Sequence, residues 1–259
     1  MAKHYFKVFF FSCLQALKTS SACWLQTENC GEPDVSEWGV LTATEGYGRP
    51  DSQEDYEQIS YEDAMGKTWG KNGEKPYRHA AHAMIYAPDG KKLWDMYENK
   101  AVILMMMRFD GYIGFPGGIM DDGETVEFGL NRELEEEIGL DPTRHSFTKE
   151  DHVLSYVTHN KRLLLHFYCK KVTLEECLEI EKRTIDADEY GWEVLGPIRV
   201  PMFTLNDNER GLPIFLSNKF IGNAKEELLY CIEKENIMTK EEIQVALENC
   251  EKFKARYMR

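Results

Sequence analysis

The chain has 259 residues, 42% of them hydrophobic and 29% charged, enough for one sizeable core with appendages and ordinary for a globular protein. A formal net charge of -14 makes the surface as a whole repel polyanions, which excludes a broad basic track for nucleic acid; a phosphate-rich ligand has to be handled locally, by metal ions or a few placed cations. Seven cysteines, at positions 13, 23, 30, 169, 177, 231 and 250, form no C-x-x-C pair, which argues against a zinc ribbon or a small disulfide scaffold and reads as reduced thiols.

Near the N-terminus, Lys7-Val8-Phe9-Phe10-Phe11-Ser12-Cys13-Leu14 is apolar, but Ser12, Gln15 and Lys18 interrupt it too soon for a membrane span. It reads as a helix or an extension rather than a cleaved signal. From about Asn29 to Lys75-Pro76 the chain is rich in Gly, Glu, Asp, Ser and Tyr with little periodicity, so residues 1–75 are expected to be a poorly ordered N-terminal extension. His79 to Ala87 and Ala101 to Arg108 are predicted strands, joined by a turn with Pro88 and Asp89-Gly90. The unbroken run Ala101 to Met107 suits a central strand buried on both faces. A helix is predicted from Glu124 to Ile138, then a strand from Arg162 to Val172. Thr173 to Arg183 is predicted helical, with Thr173 as cap and Glu176 three residues on. Trp192 to Val200 is a further strand ended by Pro201. Two helices follow, Asn218 to Asn236 and Lys240 to about Arg256, the second behind Thr239-x-x-Glu242. Its Lys252-Phe253-Lys254-Ala255-Arg256 end reads as exposed and complementary to the helix dipole. Strands interleaved with a few helices point to an α+β fold in αβα layers, a domain at 76–235 with a helical tail at 236–259.

Residues 115–140 carry the chemistry. Gly118, Glu124, Arg132-Glu133-Leu134, Glu136-Glu137 and Gly139-Leu140 stand in a strict spacing. Gly117, Gly118 and Gly123 permit a tight loop whose backbone can approach a phosphate or a metal, with a helix starting just after it. Glu133, Glu136 and Glu137, at i, i+3 and i+4, share one helix face. Three stacked carboxylates repel one another unless cations intervene, and hard divalent ions with oxygen ligands relieve this while sharing ligands with substrate phosphates. Arg132 is expected to face away from Glu133 and to pair with Glu124, a structural role; Gly139 is a natural C-cap. A glutamate run by itself is most often a solvated helix face. The glycine loop and Arg132 at their spacing weigh against that here.

This pattern resembles the Nudix box with every fixed position filled. Further stretches resemble one branch of that family, the snoRNA-decapping enzymes that also act as inosine diphosphatases: Arg78-His79-Ala80-Ala81-His82-Ala83, Met107-Arg108-Phe109-Asp110-Gly111, Leu165-His166-Phe167-Tyr168, Glu193-Val194-Leu195-Gly196 and Phe220-Ile221-Gly222. The likeness covers roughly residues 77 to 233. It implies the Nudix αβα sandwich with a mixed β-sheet, and two or three Mg²⁺ or Mn²⁺ ions (Mg2+ or Mn2+) held by the Gly117 carbonyl, Glu133 and Glu137. Glu136 would be a further ligand or the general base, which makes Glu136 and Glu137 the catalytic pair. Gly118, Glu124, Arg132 and Gly139 would be structural in the motif, and His82, Arg108 and Phe115 would contact the nucleotide. Two departures stand out. Glu227 occupies the place of a base-contacting glutamine, so it can accept but not donate a hydrogen bond unless protonated. Either Tyr156 or His159 stands where that branch has a histidine near the metals.

The activity implied is hydrolysis of phosphoanhydride bonds in nucleoside diphosphates of the inosine or deoxyinosine type, and of the cap of snoRNA or mRNA; the acidic balance favours the small diphosphates. Rival readings are a catalytically silent Nudix-fold binding or scaffold protein, and a pyrophosphatase for ADP-ribose or dinucleotide cofactors. The resemblance further implies a homodimer, nucleotide and capped-RNA partners, no membrane association, and a place in the nucleus, nucleolus and cytoplasm.

Overall fold

A computed structural model describes residues 56–67, 77–159 and 162–257, all within one compact unit, Gly48–Arg259. The apolar stretch at 7–14 and the cysteines at 13, 23 and 30 lie outside the described residues. In chain order the elements are β1 (Tyr56–Ile59), α1 (Tyr61–Gly66), β2 (Arg78–Pro88), a hairpin of β3 (Lys92–Leu93) and β4 (Tyr97–Glu98), β5 (Ala101–Arg108), β6 (Ile113–Gly114), β7 (Gly117–Ile119), α2 (Val126–Ile138), α3 (Pro142–His145), β8 (His152–Thr158), β9 (Leu163–Lys171), α4 (Leu174–Arg183), β10 (Val194–Arg199), α5 (Leu212–Phe215), α6 (Ala224–Lys234) and α7 (Lys240–Tyr257).

The main sheet runs β1-β8-β9-β2-β5-β10, with β6 on β5 and β7 on β2. Its one parallel pair is β2 with β9, so the sheet is mixed. Alternate residues of β2 and β5 serve opposite faces. Ala81, Ala83, Ile85, Val102, Leu104 and Met106 pack under Val126, Leu130, Leu134 and Ile138 of α2 and Cys177 and Ile180 of α4. Met84, Tyr86, Ile103 and Met105 face Phe215, Leu228, Ile232, Ile243 and Cys250 of α5, α6 and α7. Helices therefore cover both faces, the αβα layering expected. Each fully buried Leu or Ile of α2 contributes about 1.5–3 kcal/mol, which fixes the helix that carries the carboxylates. No helix among the described residues is long and apolar enough to cross a membrane.

The structure corrects the predicted elements in five places. Within the stretch expected to be a poorly ordered extension, β1 pairs antiparallel with β8 and α1 is capped by the Ser60 side chain accepting from the Asp63 N–H; the folded body begins at least twenty residues before position 76. β8 itself escapes the sequence pattern, because it places Ser155 and His152 in a polar cluster rather than alternating apolar with exposed side chains. The helix expected from Asn218 starts only at Ala224: Lys219–Ile221 run extended beside β6, with the Ile113 N–H donating to Lys219 and the Ile221 N–H to Ile113. The last helix is no appendage, since Ile243, Ala246 and Cys250 of α7 are part of the main core. Helix α2 begins at Val126 rather than Glu124, with Thr125 as its cap; the capping boxes of α4 and α7 form as expected.

Candidate active site

The glycine loop lies across the last turns of α2. Pairing of β7 with β2 sets Gly117 opposite His82, and Gly117 has a φ of 128°. A Cβ there would stand 2.2 Å from the Ala81 carbonyl oxygen, so no other residue fits. This close approach aims the Gly117 N–H at Glu137, to whose Oε2 it donates at 2.7 Å. At Gly118 a Cβ would meet Glu133 Oε2 at 2.5 Å. Both glycines thus let the backbone lie directly on the carboxylates. Gly139 ends the helix in the left-handed conformation, its N–H returning to Glu135 and Leu134.

Arg132 grips Glu124 in a two-pronged pair, Nε to Oε1 at 2.9 Å and Nη2 to Oε2 at 3.1 Å, as expected. It does not face away from Glu133. Its Nη1 donates at 2.9 Å to both Glu133 Oε1 and Glu136 Oε2, because the planar guanidinium offers donors on more than one edge. One arginine therefore ties the loop before the helix to two of the three face carboxylates.

The third, Glu137, is 5% exposed. Burial pushes its carboxyl up to about 8, the Gly117 N–H pulling the other way and Glu133 and Glu189 adding to the rise. Burial likewise pushes Glu133 up to about 7, against the pull of Arg132. Two residues that the motif spacing did not flag complete the group. Glu137, Glu189 and Glu193 each bring a carboxylate oxygen within 4.8 Å of the others. The turn holding them is fixed by its backbone, the Glu189 N–H donating to Glu136 and the Phe109 N–H to Glu193. Glu189 is also raised, by burial first and by Glu193 and Glu136 next, and its Oε2 is buried without a hydrogen-bond partner. A buried, unpaired carboxylate oxygen among like charges is costly. A hard divalent cation fits this donor set. The only sequence signal for these residues is the acidic cluster Asp186, Asp188, Glu189 and Glu193 ahead of β10.

The expected substrate residues are placed unequally. Arg108, at the end of β5, pairs with Asp110 at 3.1 Å and lies near enough to lower both Glu137 and His82, so His82, Arg108 and Glu137 form one neighbourhood. His82 is pulled down to about 4 by burial and then by Arg108, which keeps its ring neutral at physiological pH. Phe115 is 4% exposed and packs on Phe167 with ring centroids 4.9 Å apart, within the core that faces α5, α6 and α7. Glu227, on α6, is buried, accepts from Asn223 Nδ2 at 3.1 Å, and is raised well above the carboxylate range by burial. Tyr156 lies on its side of the sheet, its phenol pushed up to about 12 by burial and then by Glu227. His159 instead meets the Tyr77 hydroxyl at 2.9 Å and Glu57 at 3.2 Å, at the exposed end of the sheet.

Residues 79–238 match the Nudt16-like family, described as U8 snoRNA-decapping enzyme-like. Among relatives, the U8 snoRNA-decapping enzyme of Homalodisca vitripennis is 46% identical over 180 residues, covering 70% of this chain and 94% of that protein. That of Xenopus laevis is 45% identical over 174 residues, covering 66% and 82%. The Tudor-interacting repair regulator protein of Homo sapiens is 38% identical over 194 residues, covering 73% and 86%. A solved mutT/nudix family protein from Listeria innocua aligns with a TM-score of 0.40 and 16% identity over 64% of this chain and 100% of that one. With the glycine loop, the arginine clamp and the carboxylate face all formed, and relatives named as decapping enzymes along most of their length, the chain belongs to the Nudt16-like family of Nudix hydrolases.

Proposed function

We propose that this protein is a metal-dependent hydrolase of phosphoanhydride bonds in purine nucleoside diphosphates of the inosine or deoxyinosine type and in the cap of small nucleolar RNA or mRNA. The observation that carries this reading is the gathering of Glu137, Glu189 and Glu193 within 4.8 Å beside Glu133 and under the glycine loop. Glu133, Glu137 and the Gly117 carbonyl would hold the ions, with Glu189 and Glu193 closing the set. Mg²⁺ or Mn²⁺, two or three per site, would supply Lewis acidity toward the phosphoryl oxygens and the leaving phosphate. Arg108 suits a phosphate oxygen through its guanidinium, and the neutral His82 ring can donate or accept at a sugar or base edge. Arg132 positions Glu133 and Glu136, and Glu136 serves as further ligand or as acceptor of the water's proton. Glu227, whose carboxyl burial raises well above the ordinary carboxylate range, would regain when protonated the donor that an ionised carboxylate lacks and so can replace a glutamine toward a purine base. By the same resemblance the protein acts as a homodimer in the nucleus, nucleolus and cytoplasm; light scattering on the purified chain tests the dimer.

A binding role without catalysis is the second reading, favoured by the 38% identity to a Tudor-interacting repair regulator protein. One assay separates the two. The full chain is incubated with Mg²⁺ or Mn²⁺ and, in parallel, inosine diphosphate, capped RNA and ADP-ribose, with Glu137→Gln as control. Release of phosphate from inosine diphosphate and of the cap nucleotide from RNA, absent in Glu137→Gln, is expected. No product from any substrate would overturn the enzyme reading, and turnover of ADP-ribose alone would overturn the substrate assignment.

A further inference from the structure

Tyr56, the first residue of β1, lies ahead of residues 79–238, the part of the chain that matches the family. In the pairing of β1 with β8 it stands opposite Thr158, two residues from Tyr156. Side chains two apart on a strand share a face, so Tyr56 and Tyr156 point to the same side of the sheet. Their rings meet edge to face with centroids 6.4 Å apart, and with Ile119 they pack against Ala80, Leu163 and Leu165. Ala80 and Ile119 are two residues along their strands from His82 and Gly117, which sets this cluster next to the expected sugar or base contact.

Tyr56 also reaches the segment that leads into α6. Gly222, with a φ of 50°, turns the chain from the extended stretch at 219–221 toward the helix, and a Cβ there would stand 3.1 Å from the Tyr56 hydroxyl oxygen. The next residue, Asn223, occupies the N-cap of α6 without making a side-chain cap bond; its Nδ2 donates instead to Glu227 at 3.1 Å. On the other flank of Gly222, Ile221 shares with Arg108 the space beside Gly114, where a Cβ would meet Ile221 Cγ2 at 2.7 Å and Arg108 Cδ at 3.3 Å. Tyr56 thus approaches Glu227 from two directions, through the Tyr156 ring that feels its charge and through the asparagine that holds it.

We propose that Tyr56 is a positioning residue for base recognition: by holding Tyr156 on one side and Gly222-Asn223 on the other, it fixes the Glu227 carboxyl where a purine base meets it. It sets affinity and base preference without taking part in hydrolysis. The proposal rests on the reading of Glu227 as the base contact. A side chain already held in place loses less rotamer freedom when its ligand binds, so the supporting residues contribute affinity without touching the ligand. Phe115 is buried in the core, and a base beside Glu227 meets the half-buried Tyr156 instead, whose ring orientation Tyr56 sets.

The test compares the full chain with Tyr56→Ala, Tyr56→Phe, Gly222→Ala and Gly222→Ala/Tyr56→Phe, each checked by a thermal melt. KM and kcat are measured for inosine diphosphate and uridine diphosphate, and binding of the two monophosphates is followed by calorimetry. Tyr56→Ala should raise KM for inosine diphosphate by about tenfold, short of the roughly 100-fold that a misplacement of 1 Å can cost. It should leave kcat within about twofold and move KM for uridine diphosphate far less. Tyr56→Phe keeps the ring and should stay near the parent. Gly222→Ala should raise KM because its Cβ displaces the Tyr56 hydroxyl, and Tyr56→Phe in that background should restore part of the affinity by opening the space. Should Tyr56→Ala melt below the assay temperature, Tyr56→Leu, which keeps the apolar packing, takes its place. A fall in kcat that tracks the melting temperature with KM unchanged would overturn the proposal, as would an equal rise in KM for both diphosphates or a double variant no better than Gly222→Ala. If the parent hydrolyses neither diphosphate, the hydrolase reading fails; weaker binding of inosine monophosphate alone by Tyr56→Ala then still supports the role of Tyr56, and unchanged binding overturns it.

Discussion

Two polar clusters share helix α2, one at each end, and they follow opposite rules. In the first, His79 Nδ1 lies 2.8 Å from His166 Nε2, His166 Nδ1 lies 2.9 Å from Ser155 Oγ, and Ser155 Oγ lies 2.8 Å from His152 Nε2. Beside them the Tyr61 and Tyr168 hydroxyls both donate to Glu127 Oε1 at 2.8 Å. The imidazoles and the Ser155 hydroxyl form one continuous hydrogen-bonded chain in which His79 Nε2 is left buried without a partner, and together with the tyrosines on Glu127 it joins α1, β2, β8, β9 and the first turn of α2. In the second cluster, at the other end of α2, Glu133, Glu137, Glu189 and Glu193 face one another with Arg132 reaching only Glu133 of the four. The first cluster stabilises the fold; the second costs stability, and on the metal-dependent reading proposed above an unsatisfied acidic site is what a cation and a phosphate would need.

The comparison can be broken most directly by replacing one residue in each cluster. Glu137→Gln should lower turnover by about 10–100-fold or more and, in chelator above about pH 8 where this carboxyl is ionised, should raise the melting temperature by about 2–4 °C per kcal/mol of repulsion relieved; unchanged turnover or a large fall in melting temperature would contradict it. His166→Leu should do the reverse. Leaving Ser155 and His79 without a buried partner costs about 1–3 kcal/mol each, visible as a lower urea midpoint, while kcat at a permissive temperature stays near that of the parent. Gly117→Ala should combine both effects more weakly. Its Cβ cannot stand 2.2 Å from a carbonyl, so the loop shifts, at about 1–3 kcal/mol of stability, and the N–H leaves Glu137, which a thermal melt and a metal titration would read together.

The pH response sharpens the contrast with the smallest effect. His166 is pulled down to about 3 by burial, then by His79 and His152. The unfolded chain therefore holds the extra proton between about 6.5 and 3, and the stability this group contributes is complete above 6.5 and falls as pH drops through that window. Glu137, pushed up to about 8, has the opposite sign: the folded state holds the proton, so its contribution is complete below about 4.5 and falls as pH rises toward 8. Each group's limiting slope is about 1.4 kcal/mol per pH unit. In chelator, the urea midpoint should fall from pH 6.5 to 8, and Glu137→Gln should flatten that fall. Below 6.5 the two contributions oppose, and His166→Leu should let the acid-side gain appear. A midpoint that rises from pH 6.5 to 8 would refute the assignment.

Sequence alone determined the parts governed by local geometry. The glycine loop, Arg132 with Glu124, the shared face of Glu133, Glu136 and Glu137, the caps at Thr173 and Gly139, and the apolar strand at Ala101–Arg108 all depend on spacing within a few residues, where helix and strand periodicity act. The αβα layering followed from the alternation of those elements. Tertiary structure decided everything that depends on residues far apart in the chain. Glu189 and Glu193 join Glu137 only because the turn before β10 bonds to α2 and to Phe109. β1 and β8 exist because they pair with neighbours, and β8 hides among polar partners. Tyr156 rather than His159 lies beside Glu227 because strand register, not sequence distance, sets which side chain faces α6.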